Sequence, residues 1–252
     1  MKTRTSWLLL LALLGLFTAL LAQEGTKPSA VPDGADQTMS AMSGHEHMSG
    51  HMTLTSLRPL QPGDKQRADA IVQTARATLE KYRDYHAAEA DGYKIFLPNL
   101  PAKMYHFTNY SYGAEARFRF NPEHPTSLLY EKTADGGYKL IGAMYTAGDK
   151  ATPDELDARV PLSIAQWHEH TNFCQAPKGR EKEYFGPNAL FGLLGSITTE
   201  EQCAAAGGTF RPHIFGWMVH VYPFEQKPED IWSVERQMDH GGHDHAGMKM
   251  QR

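Results

Sequence analysis

The sequence predicts an α+β domain: one long N-terminal helix packed on a mainly antiparallel sheet (a sandwich or partly open barrel) with short inserted helices. Three observations predict it. Asp64–Ala90 carries apolar residues at helical spacing. Four later stretches, Lys103–Tyr110, Ser127–Thr146, Trp167–Cys174 and Ile214–Phe224, are aromatic and β-prone with period-two alternation or near-continuous apolar runs. Asp135-Gly136-Gly137 divides one of them into a hairpin, because these residues tolerate positive φ. The 252 residues suit one good-sized domain. The expected organisation is a signal peptide over 1–22, a disordered His/Met-rich segment over 23–60, a globular domain over 61–236 and a disordered His/Met-rich tail over 237–252.

The first segment has a positive start, Lys2 and Arg4, then an apolar run, Trp7–Leu21, ending before a cut after Ala22. An exported protein, periplasmic or extracellular, is therefore expected, with no stable membrane span after cleavage. An uncleaved anchor is the rival reading. Losing Lys2 and Arg4 leaves 23 basic against 29 acidic residues, a net charge of about −6. The chain lacks a basic patch, which argues against nucleic acid as a partner.

Gln23–Leu60 is poor in bulky apolar residues, so it cannot bury enough surface to offset chain entropy. Its middle reads MSAMSGHEHMSGHM, with Met39, Met42, Met48 and Met52 among His45, His47 and His51. The far end repeats the theme as MDHGGHDHAGMKM, with His240, His243, His245, Met248 and Met250. Thioether sulfur suits Cu(I), while imidazole suits Cu(II), zinc and nickel. A segment mixing both can hold copper in either oxidation state; zinc alone does not call for methionine. Copper is the expected ion, zinc the alternative. A solubilising low-complexity tail is the plainer reading, although methionine serves that purpose poorly. These segments resemble the Met/His-rich tails of exported bacterial copper- and silver-handling proteins.

The helix over Asp64–Ala90 lines up Ala68, Val72, Ala75, Leu79, Tyr82 and His86 on one face. His86 reads as a core histidine rather than a ligand. Lys103–Tyr110 is expected to be a strand with His106, Thr108 and Tyr110 on one face. Strand is also favoured over helix for Tyr112–Pro125, where Arg117 and Arg119 alternate with Phe118 and Phe120. Glu131, in the hairpin, is a carboxylate that can serve as ligand or base; by position it reads as half of a cross-strand charge pair. Thr152-Pro153-Asp154-Glu155 is a capping box opening a short helix. Another short helix near Thr199–Ala206 carries Cys203 back towards Cys174. In an exported chain the two form a disulfide; the rival is a Cys174 thiolate acting as a soft ligand beside His170.

Ile164–Cys174 reads IAQWHEHTNFC and holds the densest chemistry. On a strand, His168, His170, Asn172 and Cys174 share one face, with the two histidines roughly 6.5–7 Å apart at the backbone. On a helix the pair would diverge by about 200°. In Ile214–Phe224, Met218, His220 and Tyr222 share a face. The candidate core metal ligands are therefore His168, His170 and His220, with His106 as a fourth ligand or supporting group. Asn172, Tyr222 or Glu131 would orient the imidazoles. The bland reading is a polar seam in the sheet. Asp91-Gly92-Tyr93, His106–Tyr110, Leu128–Lys132, Trp167–Cys174 and Gly216–His220 resemble matching stretches of an uncharacterised family of exported bacterial proteins. That resemblance covers most of the folded domain and implies no reaction.

Two function classes remain. One is an exported metal-binding protein acting in copper binding or tolerance. The other is a secreted metalloenzyme, hydrolase or copper oxidoreductase, with three histidines, an open position and Glu169 or Glu131 as base. No Gly-x-Ser-x-Gly elbow, His-Glu-x-x-His pair or phosphate-binding glycine loop is present in the sequence.

Overall fold

A computed structural model describes residues 50–98, 102 and 104–238. The expected signal peptide and most of the tail ligands lie outside them. Seven strands form one antiparallel sheet: β1 (Met52–Leu54), β2 (Lys94–Ile95), β3 (Met104–Thr108), β4 (Ser127–Lys132), β5 (Tyr138–Thr146), β6 (His168–Gln175) and β7 (Thr209–Val221). Their order is β1-β6-β7-β5-β4-β3-β2, with β1 and β2 at the edges. The helices are α1 (Asp64–Leu79), α2 (Tyr85–Ala90), α3 (Tyr110–Ala116), α4 (Pro153–Arg159), α5 (Glu200–Ala205), α6 (Pro228–Ile231) and α7 (Val234–Met238). The α+β class is as expected, and the described strands belong to a single sheet.

The long helix of the sequence reading breaks. After α1 the chain tightens into a 3₁₀ turn, Glu80–Arg83, then extends at Asp84 (φ −87°, ψ 108°) before α2. The Asp84 carboxylate accepts from the His86 backbone N–H at 3.0 Å, so a residue inside the helical pattern acts as a cap. The break turns His86 out to solvent, where its ring bonds Glu89 at 2.9 Å; it is not a core histidine. The rest of the predicted face is buried: Ala68, Val72, Ala75, Leu79 and Tyr82. They pack on one side of the sheet against Phe107, Leu128, Tyr130, Ala143 and Val219. The Tyr130 hydroxyl fastens the turn to the sheet by donating to the Tyr82 carbonyl at 2.7 Å.

The domain reaches further towards the N-terminus than the expected boundary at Gln61. Residues 50–60, expected to be disordered, are built into it. Met52–Leu54 pairs with His168–His170, and Thr55 exchanges hydrogen bonds with Trp167 at 2.9 and 3.0 Å. Arg58 bridges Asp64 in the first turn of α1 and Asp157 in α4. Arg58, then Ser163, hold the Asp64 carboxyl well below the usual carboxylate range. Backbone pairing and polar anchors hold this segment, and neither registers in an apolar pattern.

The stretch after β3 is also a helix rather than the expected strand. Asn109 accepts from the backbone N–H groups of Ser111 and Tyr112, which starts α3 and leaves Phe118 exposed beyond its end. The capping box at Thr152–Glu155 forms as expected, and a second, Thr199–Gln202, starts α5. α5 presents Cys203 to Cys174, and the two form a disulfide buried with Phe191 and Ile197. This removes the thiolate reading of Cys174. No described helix is long and apolar enough to cross a membrane.

Candidate metal centre

The second face of the sheet carries the histidines. Residues directly opposite each other on antiparallel strands share a face. The register sets His168 against Met218, Met144 against His220, Leu129 against His106, and Met52 against His170. Met104, Leu129, Met144, Met218 and Tyr222 form a buried cluster there, separate from the core under α1. His168 and His220 are fully buried, His170 nearly so and His106 partly.

All four predicted ligands come together. Ring centroids are 5.5 Å apart for His106–His220, 5.2 Å for His220–His168 and 5.4 Å for His168–His170. They form a row. In the sheet, β5 and β4 lie between β7 and β3. Three steps of about 4.8 Å would hold those strands about 14 Å apart on a flat sheet. The His106–His220 spacing therefore requires the sheet to curl towards this face. Gly142 permits part of the curl: a Cβ there would sit 2.4 Å from the Val221 carbonyl oxygen and 2.9 Å from the Tyr222 ring. A register shift in the β4–β5 pair falls beside it.

A bulge in β7 shapes the His170 end. Between Ile214 and Met218, three residues of β7 oppose Glu169 alone, with Phe215 at φ 71° and Gly216 at φ 98°. The bulge aims Phe215 outwards, 64% exposed, with its ring 6.4 Å from His170 and 5.6 Å from Phe96. Gly216 inside an apolar strand was the available signal for it.

Burial lowers the His106 pKa to about 4, with the nearby His170 adding to the effect. Burial also lowers His170 to about 4, against a hydrogen bond to the His51 backbone that works the other way. Both rings are thus neutral at physiological pH, the form in which imidazole binds a metal. The Tyr222 hydroxyl lies 3.3 Å from His220 Nδ1 and 3.9 Å from Met104 Sδ.

Asn172 adopts φ 55° and its amide donates to the Gly50 carbonyl at 2.7 Å. Glu131 is exposed, opposite Lys139, and none of its described contacts is with a histidine. Glu169 points to the other face and pairs with His213 at 2.9 Å, so it is not placed as a base for the row. His51 is not a tail ligand: it is buried, with Nδ1 3.1 Å from the Asn172 carbonyl oxygen and Nε2 2.7 Å from that of Gly195. Met52 opens β1 and shares the row's face. Met39, Met42, His45, His47, Met48, His240, His243, His245, Met248 and Met250 lie outside the described residues.

Among the described residues, no three His, Cys, Asp or Glu side chains are already gathered around one point as a finished metal site. The donor chemistry nevertheless fits a soft ion: neutral imidazoles beside the thioethers of Met104, Met144 and Met218. The ring spacings fit as well. Two imidazoles sharing an ion through bonds of about 2.0 Å have their centroids about 5 Å apart. No known protein family matches the chain, and comparisons with curated proteins and with solved structures gave no match.

Proposed function

We propose that this is an exported metal-binding protein that holds copper on the His/Met face of its sheet, in the service of copper binding or tolerance. The observation that supports the reading is the row of four imidazoles, spaced 5.2–5.5 Å apart, on a face that also carries buried methionines. Imidazole with thioether is a donor set for Cu(I) and Cu(II), whereas zinc draws on the imidazoles alone. His106, His168, His170 and His220 would bind the ion, and Tyr222 would fix the His220 ring by bonding its Nδ1. The expected signal peptide and the disulfide fit an oxidising compartment outside the cytoplasm.

The test is metal content and affinity in the full mature chain. The protein is titrated with Cu(I) and Zn(II) against a competing chelator, beside a His168→Gln/His220→Gln variant whose folding is checked by circular dichroism. The expected result is a tightly held copper ion in the wild type that the folded variant loses. Equal copper retention in both would overturn the core site. Preference for zinc over copper would overturn the assignment of the ion.

A further inference from the structure

We propose that the second face of the sheet selects a soft monovalent ion, Cu(I) or Ag(I), and that the thioethers of Met144 and Met218 ligate it together with the imidazoles of His168 and His220. The inference rests on the metal-binding reading and deepens it: it names the class of ion and adds two sulfur ligands at the centre of the row.

The strand register carries it. His168 on β6 stands directly opposite Met218 on β7, and His220 on β7 stands directly opposite Met144 on β5. Opposite residues share a face, with their Cβ atoms about 4.5–5.5 Å apart. Met218 and His220 are two apart on β7, so they share that face too, about 6.5–7 Å apart along the strand. Two imidazoles and two thioethers thus occupy adjoining positions on three neighbouring strands. The His168 and His220 rings are 5.2 Å apart and nearly perpendicular, at 84°. Met144 and Met218 are buried in one cluster. A methionine side chain has three rotatable bonds, so its sulfur can turn towards an ion between these rings without a backbone shift. Met104 is engaged elsewhere, its sulfur facing the Tyr222 hydroxyl at 3.9 Å.

Two further features favour a monovalent ion. The first is the donor count. Zinc and Cu(II) draw on three or more imidazole, carboxylate or thiolate ligands. Among the described residues, no three such groups gather around one point. A pair of imidazoles completed by thioethers suits Cu(I) instead. The second is charge. All four side chains are buried, and as ligands all four are neutral. The buried carboxylates among the described residues, Asp64 and Glu169, pair with Arg58 and His213. Glu131 is exposed, and Cys174 lies in the disulfide. The solvation lost by a buried ion grows with the square of its charge, so a divalent ion loses about four times as much as a monovalent one.

The experiment compares the full-length mature protein, a Met144→Leu/Met218→Leu variant, and the His168→Gln/His220→Gln variant, each checked for folding by circular dichroism. Leucine conserves the volume of methionine, a change that cores tolerate well. The probes are Ag(I) and Zn(II), each at one equivalent. Affinity is read by chelator competition, and sulfur around the ion by X-ray absorption at the silver edge. The wild type should show sulfur beside nitrogen around Ag(I). The methionine variant should hold Ag(I) at least about tenfold more weakly and with less sulfur, its Zn(II) affinity unchanged. Nitrogen alone around Ag(I) in the wild type would overturn the sulfur ligands, whatever the variants do. Equal Ag(I) affinity in wild type and methionine variant, with loss in the histidine variant, would overturn the inference while leaving the metal-binding reading intact. Equal losses of Ag(I) and Zn(II) in the methionine variant would mark a packing effect and overturn it as well. Full retention of Ag(I) in both variants would overturn both readings.

Discussion

Taking the metal-free protein from about pH 7.5 to about pH 5 should cost it several kcal/mol of stability, and His106 and His170 locate the loss. Both have folded pKa values of about 4, against an ordinary 6.5. Their folded values are lowered, so it is the unfolded chain that takes up protons first as the pH falls. Stability from each ring is therefore complete above about 6.5 and is lost on acidification down to about 4. At 1.36 kcal/mol per tenfold, each ring alone would remove about 2 kcal/mol at about pH 5. The pair should remove about 3 kcal/mol, because part of the His106 effect comes from His170. The assay is urea denaturation of chelator-treated protein at the two pH values, wild type beside His170→Gln. The variant should recover about 2 kcal/mol of the acid-induced loss. Identical losses in wild type and variant, or a wild type indifferent to this pH change, would refute the reading that these rings are held neutral in the folded protein.

Three further outcomes are expected. Tyr222→Phe removes the hydroxyl from His220 Nδ1 and should weaken metal binding by 10–100-fold in a chelator competition, with little change in thermal midpoint. Gly142→Ala places a methyl 2.4 Å from the Val221 carbonyl oxygen; it should destabilise by about 1–3 kcal/mol in denaturant titration and weaken metal binding through the displaced Tyr222 ring. Cys174→Ser/Cys203→Ser opens a loop with 29 residues of sequence separation and should cost about 3 kcal/mol in the same titration.

The shared face of the candidate histidines was more legible in the sequence than the architecture that carries it. Strand alternation in WHEHTNFC and GWMVHVY puts histidines on one face whatever the rest of the fold does, because a side-chain period of two is local. The hairpin and the Thr152 capping box are local too. The misreadings have a different origin. Asp84 breaks the helix by capping the next one, while the apolar rhythm continues unbroken across it to His86. Asn109 turns Tyr110–Ala116 into a helix although Arg117–Phe120 alternates. β1 is a short edge strand held by backbone bonds and by His51, so its His/Met composition disguised it as tail. Asn172 adopts a left-handed backbone inside β6, which a period-two pattern does not foresee. The order of the strands, which brings His106 across the sheet to His220, is a long-range property that no local pattern encodes.

The disulfide has a consequence beyond the chain entropy it removes. The loop it closes, 174–203, contains Gly195, whose carbonyl oxygen faces the buried His51 ring at 2.7 Å. His51 in turn precedes the edge strand β1, and its backbone bonds the ring of His170. The cystine thus acts as a brace with a short mechanical path to one end of the imidazole row: sulfur bridge, loop, His51, His170. With the disulfide reduced that path slackens, and His170 loses the support of the edge strand before any of the four histidines is altered. A reduced chain would then have a less well-ordered histidine face than an oxidised one.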